Sequence, residues 1–258
     1  MILDIEGTDL DHILSCFFIT FVVSVSYMNS KDNLTSCSVG VYQCKCFDTL
    51  DDKERQLIDE NSVIVRYKKG EVICKRGGFA SHIMFLEKGL AKVYIEDGGN
   101  TLVLKILPEK NLLGLASVSD DLKTFEYSVM AYIDSEIRQI STEVFKKLLS
   151  SNPVFSKEVI DIQNSNSVQI YGRFFCLTHK QSYGRLADIL LCLSERVFKT
   201  DEFDLPLSRK DLAELSGLSS ETVIRMLRIF RQEKLISIDG KRFRLLDLDR
   251  MKHISETG

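Results

Sequence analysis

Hydrophobic and polar positions follow two rhythms along the chain, and the change between them falls near residue 140. Between Val63 and Ile140, short runs rich in β-branched and aromatic residues recur: Val63-Ile64-Val65, Val72-Ile73, Ile83–Leu86, Ala91–Ile95 and Thr101–Ile106. Glycine-bearing turns separate them at Lys69-Gly70, Gly77-Gly78, Lys88-Gly89 and Asp97-Gly98-Gly99-Asn100. The last is a strong hairpin signal, because Gly and Asn accept positive φ at little steric cost. Many short strands at regular spacing predict an antiparallel roll. A short helix with an acidic start, Asp51–Asn61, precedes it.

After Ile140 the apolar spacing becomes helical. Ser141–Leu149 predicts a short helix stopped by Pro153. From Val154 to Leu177, Phe155, Val159, Ile162, Ser165/Asn166, Gln169/Ile170 and Phe174 recur at three-to-four spacing. A long helix with such a mixed stripe suits a two-stranded seam, in which polar residues set register. An ordinary helix packed on its own domain fits the same spacing. A further helix, Gln181–Phe198, carries Leu186, Ile189, Leu190 and Leu193 on one face.

The segment from Leu205 onward is the most specific. Ser208 with Asp211 three residues on forms an N-cap box opening a short helix with Leu212, Ala213 and Leu215. Gly217 supplies a left-handed end, and Ser219 or Ser220 caps a second helix with the stripe Val223, Met226, Leu227 and Phe230. Two short helices joined across such a turn make a helix-turn-helix, and Leu235–Leu246 around Asp239-Gly240 reads as a two-stranded wing. The second helix turns Ser220, Glu221, Arg225 and Arg228 away from its apolar stripe. A carboxylate can accept from a cytosine amino group and an arginine can pair with guanine, so this face suits base edges in a major groove. Ser208 and Arg209 open the preceding helix, where N–H groups favour a phosphate, and Lys241, Arg242 and Arg244 lie on the wing. A plain Glu221–Arg225 helix ion pair is the simpler alternative.

Charge changes the picture locally. The 258 residues carry 34 Lys+Arg against 37 Asp+Glu, a net −3. Yet residues 205–244 hold nine basic side chains against five acids, and a partner feels the local field rather than the sum. At the other end, Ile13–Ser30 is uncharged and its Cys16–Val23 run is strongly apolar but borderline for a membrane span, and the acidic residues ahead of it do not suit a signal peptide. A mis-assigned start covering residues 1–27, with translation from Met28, is the leading expectation. A membrane anchor or an added docked segment are the alternatives. Seven cysteines at irregular spacing argue against a secreted disulfide framework and for a reducing, cytoplasmic setting.

The order of roll, long helix, helix-turn-helix and wing resembles the Crp/Fnr family of bacterial transcription regulators. The resemblance rests on Lys69-Gly70-Glu71-Val72-Ile73, Gly78, Ile83–Leu86, Gly89 and Lys92-Val93-Tyr94 in the roll. Farther on it rests on Leu207–Ala213, Gly217–Leu227, Leu235-Ile236 and Gly240-Lys241. It implies an α+β fold: an N-terminal antiparallel β-roll of the cyclic-nucleotide-binding jelly-roll type, a long dimerisation helix and a C-terminal winged helix-turn-helix. The expected division is 1–46 as an extension, 47–152 as sensor roll, 153–178 as dimerisation helix and 179–258 as DNA-binding domain. The implied function is a sequence-specific, homodimeric transcription regulator, binding a double-stranded DNA operator and contacting RNA polymerase. Ser208, Arg209, Ser219, Ser220, Glu221, Thr222, Arg225, Arg228, Lys241 and Arg242 are the expected DNA-binding residues. Glu221 and Arg225 match the family's base-reading pair, while Ser220 stands where cyclic-AMP-type members carry an arginine.

The sensor departs from that pattern. Cyclic-nucleotide members surround the sugar-phosphate with Gly-Glu-Leu and Arg-Ser/Thr; here the two regions read Leu113-Gly114-Leu115-Ala116 and Thr124-Phe125-Glu126-Tyr127-Ser128. Glu126 would repel a phosphate, so cyclic AMP is rejected and the effector stays unidentified. Leu113, Gly114, Leu115, Phe125, Glu126 and Tyr127 are the candidate effector pocket. Cys37, Cys44, Cys46 and Cys74 are weak candidates for an iron–sulfur cluster or a thiol switch, and His82 or His179 for haem; their spacing matches no family motif. An enzyme is not expected, since no phosphate loop, catalytic triad or metal-binding His cluster is present. The other rival is a protein-interaction module with a degenerate winged helix.

Overall fold

The computed structural model describes residues 44–258. The apolar leader and Cys37 lie outside the described residues, and among these no helix is long and apolar enough to cross a membrane. The first helix, α1 (Asp52–Glu60), opens with a capping box in which Asp51 and Glu54 satisfy each other's backbone N–H groups. Eight strands follow: β1 (Ser62–Tyr67), β2 (Val72–Cys74), β3 (His82–Lys88), β4 (Leu90–Asp97), β5 (Asn100–Pro108), β6 (Asn111–Leu113), β7 (Ser128–Ala131) and β8 (Ser135–Ser141). They form two antiparallel four-stranded sheets, ordered β1-β8-β3-β6 and β2-β7-β4-β5. Asp97 pairs with Asn100 across Gly98-Gly99, both at positive φ, so the expected hairpin is a two-residue turn.

The sequence reading did not single out β6, β7 and β8. β8 is nevertheless central, paired with β1 on one side and β3 on the other. Its apolar content is only Ile137 and Ile140, both fully buried but on opposite faces: Ile137 enters the interior between the sheets, whereas Ile140 shares the face of Glu136 and Arg138 and joins the core behind the sheet. The interior between the sheets holds Ile73, Cys74, Met84, Leu86, Val93, Leu107, Val129 and Ile137. A second core behind the β3 sheet joins α1 to two later helices, α2 (Thr142–Ser151) and α3 (Pro153–His179). Pro153 closes α2 and also opens α3, where its missing N–H costs nothing; Asn152 accepts from the N–H groups of Val154 and Phe155.

The stripe assigned to a dimer seam is divided by the structure. Phe155, Val159, Ile162 and Gln169 are buried within the chain, followed by Arg173 and Cys176 on the same face. Phe174 instead belongs to the opposite side, where Ile160, Tyr171, Phe174 and Phe175 are all more than half exposed. The inner face packs on the chain's own domain, and the outer face is left apolar and exposed. The mixed spacing blurred them because a helix flanked by two apolar surfaces has no single stripe.

The predicted helix Gln181–Phe198 is α4 (Ser182–Cys192) followed by a π-helical turn, Leu193–Phe198. Next come β9 (Glu202–Asp204), α5 (Arg209–Ser216), α6 (Ser220–Gln232), β10 (Ile236–Asp239), β11 (Arg242–Leu245) and α7 (Leu248–Thr257). The wing has three strands in the order β10-β11-β9. Neither β9 nor α7 was anticipated; α7 buries Met251 in the same core as Leu186, Leu212 and Phe230. That core continues onto the roll through Leu90, Tyr94, Val103, Ile106 and Tyr132.

Candidate nucleic-acid interface and sensor interior

The helix-turn-helix is built from reciprocal caps. Asp211 N–H donates to Ser208 Oγ at 3.1 Å, while Ser208 N–H and Oγ both reach Asp211 Oδ2, at 2.8 and 2.7 Å. Gly217 ends α5 at φ 61°, with Cβ space limited by Leu177 Cδ2 at 3.0 Å. A side chain there would be strained in its backbone and crowded as well. Ser219, not Ser220, caps α6, accepting from Thr222 N–H at 3.2 Å. Val223, Met226, Leu227 and Phe230 are all buried, which fixes the rotation of α6. Glu221, Arg225 and Arg228 are consequently exposed, with Ser220 and Thr222 half-buried at the same end.

Glu221 and Arg225 form no ion pair with each other among the described residues. Hydrogen bonding from its own backbone N–H and from Ser219 holds the Glu221 carboxyl below its ordinary range, so the carboxylate is the resting form at the helix N-terminus. Arg209 lies over the Phe243 ring at 5.6 Å, and partial burial together with Arg231 lowers its guanidinium. Lys241 sits exposed in the two-residue turn between Asp239 and Arg242.

Arg242, expected among the DNA-binding residues, is ion-paired within the wing. Its Nε pairs with Glu202, and Arg244 Nη2 reaches the other oxygen of the same carboxylate at 2.9 Å. Glu202 lies on β9, which pairs with β11 at Arg244↔Glu202, so strand register places the three side chains together. No local sequence signal announced this, because β9 is three residues long and forty positions from Arg242.

In the roll, the candidate effector residues scatter. Leu113 and Gly114 are buried, Phe125 and Tyr127 pack against the interior cluster, Leu115 joins the other core, and Glu126 points to solvent. Gly114 N–H donates to Tyr127 Oη at 2.9 Å, and a Cβ at Gly114 would meet Phe125 Cε1 at 3.3 Å. Burial pushes the Tyr127 phenol up to about 12. The pocket region is thus lined and bonded by its own aromatic side chains. One residue missed by the sequence reading is Lys105 of β5. It is buried and donates from Nζ to Asn166 Oδ1 of α3 at 2.6 Å, with its ammonium lowered to about 8 by burial.

Among the described residues, Cys44, Cys46 and Cys74 do not come together as one cluster. Cys44 and Cys46 are paired as a disulfide in the core beside α3, with Cα atoms 5.5 Å apart. Cys74 belongs to the roll interior, where burial lifts its thiol to about 12 and disfavours the thiolate that a metal needs. Among the described residues no group of three His, Cys, Asp or Glu side chains is arranged to hold a metal. His82 bonds to Ser81 Oγ at 2.7 Å, and His179 stacks on Phe175 at 4.4 Å, at opposite ends of different elements.

These parts define a two-part regulator fold, a roll joined by a long helix to a winged helix-turn-helix. A cyclic nucleotide-binding domain model matches residues 64–152, and a Crp-like helix-turn-helix domain model matches residues 184–254. The chain is 26% identical over 185 residues to the transcriptional activator protein FnrA of Stutzerimonas stutzeri, covering 70% of this chain and 75% of that protein. It is 27% identical to the global nitrogen regulator of a Nostoc species, covering 70% and 83%. In fold it is similar to FixK2 from Bradyrhizobium japonicum, with TM-score 0.70, 18% identity and coverage of 76% and 98%. A putative Crp/Fnr-family regulator from Eubacterium rectale gives TM-score 0.68, 19% identity and coverage of 83% and 98%. The chain belongs to the Crp/Fnr family and is a transcription regulator of that type.

Proposed function

We propose that the chain acts as a homodimer on a near-palindromic operator in double-stranded DNA, with α6 in the major groove. The observation that carries this is the face of α6: a capped, rigidly packed helix presenting Glu221, Arg225 and Arg228 to solvent. Glu221 and Arg225 read base edges; Arg228, Arg209, Lys241 and the N-terminal ends of α5 and α6 contact phosphates. Ser208, Ser219 and Thr222 act through the caps. The outer face of α3, with Ile160, Tyr171, Phe174 and Phe175, joins the two copies, since so large an exposed apolar strip suits a partner helix. The dimer works in the cytoplasm, contacts RNA polymerase and performs no catalysis of its own.

The roll responds to a signal other than cyclic AMP. Support comes from Phe125 and Tyr127 occupying the pocket region and from exposed Glu126, which would repel a phosphate. Control operates as a population shift between dimer geometries, one of which matches half-sites a DNA turn apart. The test is a gel shift of the full chain with the promoter region of its own gene. Glu221→Ala with Arg225→Ala is expected to abolish specific retardation, and unchanged binding would sink the base-reading assignment. An absorption spectrum of protein purified without air, expected flat near 400 nm, checks the sensor for a chromophore.

A further inference from the structure

The sheet carrying β4 and β5 turns a face toward the helix-turn-helix as well as one toward the roll interior. On that outer face Lys92 Nζ meets Glu214 Oε2 of α5 at 2.6 Å. The two side chains are only 6% and 15% exposed, so this is a buried charge pair across the junction of roll and DNA-binding domain. The Tyr94 and Tyr132 rings flank the ammonium, with centroids 5.0 and 5.8 Å away. Around the pair, the apolar core runs unbroken from Leu90, Val103 and Ile106 of the roll to Leu212 and Leu215 of α5. Glu214 also has a distant second cation, Lys210 at 3.9 Å, on the solvent side. A separate tether lies nearby: Lys69 Nζ donates to the Pro206 carbonyl at 2.7 Å, just ahead of α5.

We propose that Lys92 and Glu214 are positioning residues that set the angle at which α6 is presented, and thereby the half-site spacing the dimer accepts. This rests on the operator-binding dimer proposed above. An apolar contact alone is non-directional and lets two surfaces slide. A buried charge pair has one satisfactory arrangement, because any shift strands a charge away from water. α5 is locked to α6 through the Gly217 turn and the shared core, so fixing α5 on β4 fixes α6. The contact does not cover the reading face, since Glu221, Arg225 and Arg228 stay exposed with the domain docked. It aims the helix rather than masking it.

The experiment uses full chain and duplexes that the full chain itself selects from a random pool. The selected half-sites are rebuilt at the selected spacing and at spacings one and two base pairs shorter and longer. Wild type is expected to prefer the selected spacing by at least about tenfold. Lys92→Met is expected to reduce that preference to about twofold while leaving affinity for a single half-site unchanged. Lys92→Glu combined with Glu214→Lys restores the pair and should restore the preference. Glu214→Gln, which keeps the side-chain volume and one hydrogen bond, provides a milder variant and should give an intermediate preference. Spacing discrimination that survives Lys92→Met and Glu214→Gln, or that stays lost in the reversed pair, would overturn the proposal. So would a parallel loss of single half-site affinity, which marks a merely structural role. Failure of wild type to select any duplex would instead remove the DNA-binding reading itself.

Discussion

The recognition helix and the roll interior treat polar groups in opposite ways. On α6, the caps consume Ser219 and Thr222, yet the side chains of Glu221, Arg225 and Arg228 are left facing water. In the roll, polar groups close on one another: Tyr127 accepts from Gly114, and Lys105 donates to Asn166 across to α3. The first region turns its polar groups outward; the second pairs these groups internally. The bond between Lys105 and Asn166 ties the roll directly to the helix carrying the exposed apolar strip.

The comparison can be broken most severely beneath the reading face. Phe230→Ala removes a fully buried ring and is expected to cost about 3–5 kcal/mol in denaturant unfolding, with specific DNA binding lost alongside. Next comes the face itself: Arg225→Ala should cost about 1–3 kcal/mol of discrimination between matched and mismatched duplexes, measured by fluorescence anisotropy, with the unfolding midpoint unchanged. In the roll, Lys105 gives a pH signature. Its folded-state value of about 8 lies below the 10.5 of an exposed lysine. Between those values the unfolded chain holds the proton that the folded chain has released. Stability should therefore rise with pH from about 8 toward 10, by at most about 1.4 kcal/mol per unit, and Lys105→Met should abolish the rise. The smallest effect concerns the wing. Glu202→Gln frees Arg242 and Arg244 and should steepen the salt dependence of DNA binding by about 0.9 for each further phosphate they neutralise, with stability changed by less than about 1 kcal/mol. An unchanged slope would mean those arginines do not face phosphates.

Much of the DNA-binding unit was legible because its signals are local. The Ser208–Asp211 box, Gly217, a serine cap at 219 or 220 and the stripe from Val223 to Phe230 each span a few residues, and each describes its own backbone requirement. The sensor was less so. Leu113, Phe125 and Tyr127 could be nominated as pocket residues, but whether they line a space or fill it depends on packing between two sheets. The α3 stripe shows the same boundary: periodicity identified a helix, while its inner and outer faces could be separated only once its neighbours were in place.

Sequence by itself therefore determined the succession of roll, long helix, helix-turn-helix and wing, the capped helix pair, the direction of its apolar stripe and the polar face left over. All of these follow from spacings of two to four residues, where backbone geometry dictates which side chains share a side. Tertiary structure alone decided that Glu202 holds Arg242 and Arg244, that Lys105 is buried beneath α3, and that Lys92 meets Glu214 across 122 positions of chain. Such pairs carry no local signature, because charges are brought together and shielded from water only by the packing of elements that the chain keeps far apart.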